Sequence, residues 1–159
     1  MAREEYYCKL CDKKFMAYKS NKQIFCCLSH AYLYKTMKSY NKTISELKLL
    51  NVKELSWLTG FFEGEGCLIK HKTHRQYQLS IAQNELKVVN YINRLIPSGK
   101  TYKSKTGNTV MYSFVLHGIG SVYAFIKTIK DYTHTDKRKN SIISFLKDTK
   151  LKDINKYVK

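Results

Sequence analysis

Proline occurs once in the 159 residues, at Pro97, and acidic side chains number 12 against 29 lysines and arginines. With 43% apolar residues, the scarcity of proline excludes a disordered chain and leaves material for a core. The scarcity of acid leaves a formal charge of +17, spread along the whole chain, which points to a polyanionic partner, most commonly nucleic acid. Long apolar runs are missing too: nothing approaches the roughly 20 residues of a membrane span. Nor does a signal-peptide core follow Met1 to Glu5. The chain therefore reads as soluble and intracellular, in a reducing compartment, with no membrane partner. Five cysteines, four of them within the first 27 residues, are not the dispersed framework of a secreted disulfide protein.

Those four cysteines have metal-ligand spacing. Cys8-Lys9-Leu10-Cys11 is a CxxC pair, and Cys26-Cys27-Leu28-Ser29-His30 follows. Two ligands from a tight knuckle and two from the start of a helix make a closed structural zinc site of Cys8, Cys11, Cys26 and His30, with Cys27 as the rival of Cys26. A redox pair is the poorer reading, because no thioredoxin-like strand and helix surround the CxxC. A segment so short and lysine-rich can hardly fold by burial alone, and bound Zn2+ would supply the missing stability. It resembles the small treble-clef-like zinc modules appended to intron-encoded nucleases, which implies a DNA contact or a structural brace. Asn41 to Lys53 reads as a connector, with Thr43 or Ser45 capping a helical turn. The expected division is a zinc module and linker over 1–44 and a larger domain over 45–159.

The stretch from Trp57 to Gly66 organises that larger domain. Gly60 and Gly64 sit four apart inside an apolar helical run over about Val52 to Glu65. Each interior glycine costs roughly 1 kcal/mol relative to alanine. A second backbone pressed against the notched face would offset that. Gly66 is expected to end the helix in a left-handed cap. Glu63 and Glu65 stand at that end, where the macrodipole disfavours them by some tenths of a kcal/mol each, so a cation or a reaction must select them.

Further along, two strands, Cys67 to Lys72 and Gln76 to Ala82, flank a turn over His71 to Arg75, and Tyr77, Leu79 and Ile81 alternate with Gln76, Gln78 and Ser80. A helix over Asn84 to Ile96, capped by Asn84, stops at Pro97. A second hairpin joins Lys100–Ser104 to Val110–Leu116, a helix covers Ser121 to Lys130, and a basic loop, Asp136 to Lys139, precedes a last helix. The class is α+β, in the order α-β-β-α-β-β-α-α.

Leu58 to Gly66, read LTGFFEGEG, resembles the LAGLIDADG signature of homing endonucleases. Thr59 stands for its first alanine, Gly64 for its second, and glutamates for both aspartates. The order of elements is similar to the family core across roughly Ser56 to Leu151, about 60% of the chain. The resemblance implies an antiparallel sheet forming a DNA-binding saddle and Mg2+-dependent hydrolysis of both strands of a long site in double-stranded DNA. Glu65 and the Gly64 carbonyl would hold the metal, and Glu63 would be structural. Gln83 matches a residue that orders water in the active site. Lys137 matches a lysine beside the scissile phosphate, with Arg138 and Lys139 as rivals. One signature helix cannot make a crossed pair alone, so a homodimer on a roughly palindromic target is implied. DNA contacts are expected from Lys70, His71, Lys72, Arg75, Gln76, Gln78, Ser80, Lys103 and Lys105. An RNA-binding intron maturase, or a DNA-binding regulator without activity, are the rival readings.

Overall fold

A computed structural model describes residues 2–71, 76–149 and 151. Two strands, β1 (Arg3–Tyr7) and β2 (Lys14–Tyr18), pair as a hairpin. The long helix α1 (Leu28–Leu47) follows, then α2 (Val52–Glu65), β3 (Gly66–Lys70), β4 (Tyr77–Gln83) and α3 (Leu86–Leu95). The chain continues through β5 (Lys100–Thr106), β6 (Thr109–His117), α4 (Ile119–Ile129) and α5 (Asp136–Thr149). From α2 onward this is the α-β-β-α-β-β-α-α order expected, and the four strands form one antiparallel sheet in the order β3-β4-β6-β5.

The helices cover one face of that sheet. Leu79 and Ile81 of β4 and Phe114 and Leu116 of β6 are fully buried there, with Leu58 and Phe62 of α2, Val89 and Ile92 of α3, and Phe125 and Ile129 of α4. Register assigns the other face. Ile69 pairs Gln78, Cys67 pairs Ser80, Gln78 pairs His117, Ser80 pairs Val115, and Tyr102 pairs Ser113, so these residues share the helix-free side.

Several local expectations are corrected. Asn41 to Lys53 is not a connector: α1 runs unbroken through Ser45, placing Thr43 and Leu47 in buried positions. The start of α2 is set instead by Asn51, whose side chain accepts from Glu54 N–H while Glu54 accepts from Asn51 N–H, a reciprocal capping box. Helix α3 begins after Glu85 and gains no cap from Asn84. Gly66 is extended, at φ −73° and ψ 150°, so it is not a left-handed cap. Its glycine is required for space, since a Cβ there would lie 2.5 Å from the Phe62 carbonyl and closer still to the Phe62 ring. The segment 136–139 is the first turn of α5 and not a loop.

Helix α1 is bound to the core through α4. A Cβ at Gly120 would run into the Thr36 carbonyl, so only glycine admits this approach of helix to helix. Ala124 continues the seam, packing with Tyr40. At its far end α1 holds the turn after α3: Thr43 Oγ1 lies 2.9 Å from Ser98 Oγ, and Ser98 N–H donates to Glu46 Oε2 at 3.0 Å. No helix among the described residues is long and apolar enough to cross a membrane.

Candidate functional site

Helix α2 divides cleanly by face. Leu58, Thr59 and Phe62 are buried, whereas Ser56, Gly60 and Gly64 are exposed on the opposite side. Apart from the adjoining residues and backbone of α2 itself, no described atom would come within 4 Å of a Cβ at Gly60 or Gly64. The second backbone that would justify the notch is thus not supplied by the described part of this chain.

The two carboxylates at the end of α2 have different surroundings. Glu63 Oε1 accepts from the backbone N–H groups of His134 and Thr135, both at 2.7 Å, and its own carbonyl accepts from Arg138 Nε at 2.9 Å. The Thr135 amide is the largest influence on the Glu63 carboxyl; with the His134 amide it outweighs the opposing effect of burial and holds the group below the usual carboxylate range. Glu63 therefore fastens the end of α2 to the start of α5. Glu65, two residues on, is exposed and makes no hydrogen bond or ion pair among the described residues.

Gln83 and Lys137 gather at the same end of the molecule. Gly66 pairs with Ile81, and β4 continues two residues beyond that pair, so Gln83 ends the strand where α2 delivers its C-terminus. Its Oε1 accepts from Asn84 N–H at 2.9 Å. Lys137 lies exposed in the first turn of α5, the element that Glu63 fastens. Of its rivals, Arg138 is occupied by the Glu63 carbonyl and by the Phe62 ring, 5.5 Å from the guanidinium carbon. Lys139 is exposed like Lys137.

The expected DNA contacts separate. Gln78 and Ser80 are on the helix-free face, and His71 joins them, its Nε2 lying 3.2 Å from Gln78 Oε1. Gln76 is exposed just before β4. His117 belongs to this group and escaped the sequence reading: burial lowers its pKa, and so do the nearby charges of Lys100 and His71, which places three basic groups together. Lys70 is set apart. It pairs with Tyr77 across the ladder, on the helical side, and its Nζ meets Asp148 of α5 at 2.6 Å, a carboxylate that also accepts from Tyr77 Oη at 2.7 Å. Lys103 and Lys105 pair with Tyr112 and Val110, again on the helical side of the edge strand, leaving Lys100, Tyr102 and Ser104 facing outward. Lys72 and Arg75 lie outside the described residues.

A second constellation stands at the N-terminal hairpin. The turn after β1 is closed by Cys8 N–H donating to Lys13 O and Asp12 N–H to Cys8 O, both at 2.9 Å. It presents Cys8 and Cys11 to the first turn of α1. The ligand atoms of Cys8, Cys11, Cys26 and His30 all lie within 4.8 Å of one another, and Cys27 is exposed outside the group. Cys11 Sγ is 3.8 Å from Cys26 Sγ, and His30 Nδ1 is 3.5 Å from Cys8 Sγ and 3.1 Å from Cys26 Sγ. Corners of a tetrahedron with zinc bonds of about 2.0–2.3 Å stand about 3.5–3.8 Å apart, so this donor set fits the ion. Burial pushes the Cys8 thiol up, but backbone hydrogen bonds from Cys26, Leu10 and Cys11, with His30, outweigh it and bring it to about 5. Burial and then the neighbouring thiols push Cys26 up to about 12. A cation at the centre would reverse that second shift.

The LAGLIDADG endonuclease family model matches residues 58–149, more than half of the chain. No curated protein sequence matches it. Among solved structures, the chain is similar to the LAGLIDADG meganuclease I-AabMI bound to uncleaved DNA, at TM-score 0.52 and 22% identity over 69% of this chain and 39% of that one. It is similar also to the LAGLIDADG homing endonuclease I-GzeII in complex with its DNA target, at TM-score 0.54 and 14% identity over 69% of this chain and 40% of the other. The chain thus spans about two fifths of each of these proteins. At these identities the likeness concerns the fold.

Proposed function

Because this chain belongs to the LAGLIDADG endonuclease family, we propose that it is a homing endonuclease that cuts both strands of a long, roughly palindromic duplex site as a homodimer. One observation carries the reading: α2 exposes a side-chain-free face at Gly60 and Gly64 and ends in the unengaged Glu65. Two copies of that face, related by a two-fold axis, bring two carboxylates to one place. The oxygen donors suit a hard divalent ion, and Glu65 with the Gly64 carbonyl would hold one side of a Mg2+ ion and their two-fold mates the other. Such an ion supplies charge neutralisation at the phosphate and lowers the pKa of bound water.

The remaining work falls to side chains of this chain. Gln83 orients the attacking water through its amide, and Lys137 places a positive charge where the phosphate gains negative charge. Glu63 positions Lys137 by holding the residues just before α5. Gln78, Ser80 and His71 read base edges from the helix-free face. A structural Zn2+ on Cys8, Cys11, Cys26 and His30 would order the hairpin and the start of α1; the division expected at residue 45 falls inside that helix, so the endonuclease domain takes in α1 as well as residues 45–159.

The test is selection of bound duplexes from a random-sequence pool, followed by cleavage assays on the selected DNA with and without Mg2+. Metal-dependent cutting of both strands, lost in Glu65→Gln while binding persists, is the expected result. Tight binding to structured RNA without cutting would replace the reading with a maturase, and duplex binding without cutting would replace it with a regulator.

A further inference from the structure

Two grooves open along α1, the first of them beside its seam with Ile119 and Gly120 of α4. The first, of about 370 Å³, is lined by Tyr32, Lys35 and Ser39 of α1 together with Gln76, His117 and Gly118 from the edge of the sheet. The second, of about 550 Å³, is lined by Lys22, Ile24, Cys27, Leu28, Ala31 and Lys35. Lys35 is common to both. Leu28, Ala31, Tyr32, Lys35 and Ser39 recur at three- and four-residue intervals, so one stripe of the helix borders both depressions. Lys22 and Lys35 are exposed, and neither has an ion-pair partner among the described residues.

The position of this stripe gives it a direction. Gln83 and Glu65 mark one end of the sheet, and Gln78 with His117 marks the other, because β3 runs away from the end of α2 and β4 returns toward it. The first groove touches the sheet at that second end. A duplex lying on the helix-free face therefore leaves the sheet beside Tyr32 and Lys35, at the end remote from the cleavage centre. From Leu28 to Ser39 the helix rises about 16 Å, the length of about five base pairs.

We propose that this stripe of α1, with Lys35 at its centre and Lys22 beyond, receives the phosphate backbone of duplex DNA flanking each half-site and extends the contact to the cysteine-rich module. The proposal rests on the DNA-reading orientation of the sheet given above. Opposite charge and direct continuity with the Gln78–His117 end of that face are the grounds for this occupant. Its contacts are to phosphate, so they lengthen the footprint and strengthen binding without adding sequence preference.

The experiment compares the full-length protein with the double variant Lys22→Ala/Lys35→Ala and with Lys35→Arg. Hydroxyl-radical footprints are taken on duplexes selected by the wild type, and affinities for a random-sequence 40-base-pair duplex are measured from 50 to 200 mM salt. Removing two phosphate contacts should lower the salt slope by about 1.8, so the wild-type advantage shrinks about twelvefold across that range. The outer part of the footprint, about five base pairs on each side, should vanish in the double variant, the selected sequence should be unchanged, and Lys35→Arg, which keeps both charges, should keep the wild-type slope. Unchanged zinc content and melting temperature exclude misfolding. An unaltered footprint and slope in the double variant, with selection intact in the wild type, would overturn this proposal alone. Failure of the wild type to select any duplex would overturn the function on which it rests. Loss of RNA-hairpin affinity with duplex affinity intact would assign the stripe to RNA.

Discussion

Glu63 and Thr135 are joined at 2.7 Å, carboxylate to backbone amide, across 72 positions of sequence. The contact couples the last turn of α2 to the entry of α5, so the free carboxylate of Glu65 and the exposed ammonium of Lys137 rest on one fastened pair of helix ends. Glu63→Gln keeps the shape and weakens two charge-assisted hydrogen bonds at a half-buried site, a loss of about 1 kcal/mol. Melting temperature should fall by roughly 2–4 °C. The sign with pH follows from the depressed carboxyl: its contribution is present above the ordinary value of 4.5 and is lost as pH falls below it toward the folded value. Melting curves from pH 7 to 3 should show wild type and variant converging in acid; parallel curves would remove the clamp.

Substitution of Glu65 should act on chemistry alone. Glu65→Gln leaves the protomer's stability unchanged, because the side chain has no partner among the described residues. Cleavage should drop on the order of 10² to 10³, the scale for removing one preorganised charge, with duplex affinity retained in a gel-shift assay. Retained cutting would move the metal ligand elsewhere.

Gly60 offers a test with opposite signs. The space above it is open within the described chain, so Gly60→Leu should stabilise the separated protomer by up to about 1 kcal/mol through helix propensity. The same side chain would fill the contact between two copies of α2. Sedimentation should then report a monomer that melts higher and does not cut. A variant that remains dimeric and active would exclude this face as the subunit contact.

For the cysteine cluster the expected stoichiometry is one Zn2+ per chain by elemental analysis. Cys26→Ala should lose the ion and the order of the hairpin. The exposed Cys27, mutated to Ala, should keep both. Equal metal loss in the two variants would reassign the fourth ligand.

Gly120 should tolerate no larger residue. A methyl group there collides with the Thr36 carbonyl, and Gly120→Ala should cost about 1–3 kcal/mol, read as a lowered denaturant midpoint. A neutral outcome would show that α1 slides with ease.

The repeating elements of the core were legible because their signals are local. Tyr77, Leu79 and Ile81 alternate within one strand, and Glu65 stands in a nine-residue signature. Asn51 and Glu54 carried an equally local capping signal that the connector reading passed over. What stayed hidden depends on partners far apart in sequence. Nothing near Lys70 announces Asp148, nothing near Glu63 announces Thr135, and the burial of α1 hangs on a glycine more than 80 residues away. The facing of Lys103, Lys105 and Lys100 in β5 was hidden for a related reason: the strand is exposed throughout, so its facing comes from its register with β6 and not from its own pattern.

A rod of 20 residues, about 30 Å, that carries His30 near its beginning and Leu47 at its end constrains how the protein can be recombined. Cutting the gene at Ser45 would sever the rod and bare the apolar seam of α4, so a transplanted nuclease core needs Leu28 onward. A foreign DNA-binding head would be grafted more safely ahead of that residue, in phase with the helix. Inserting or deleting a single residue there would swing the head by about 100°, which makes the phase of the splice an adjustable dial for where the head points.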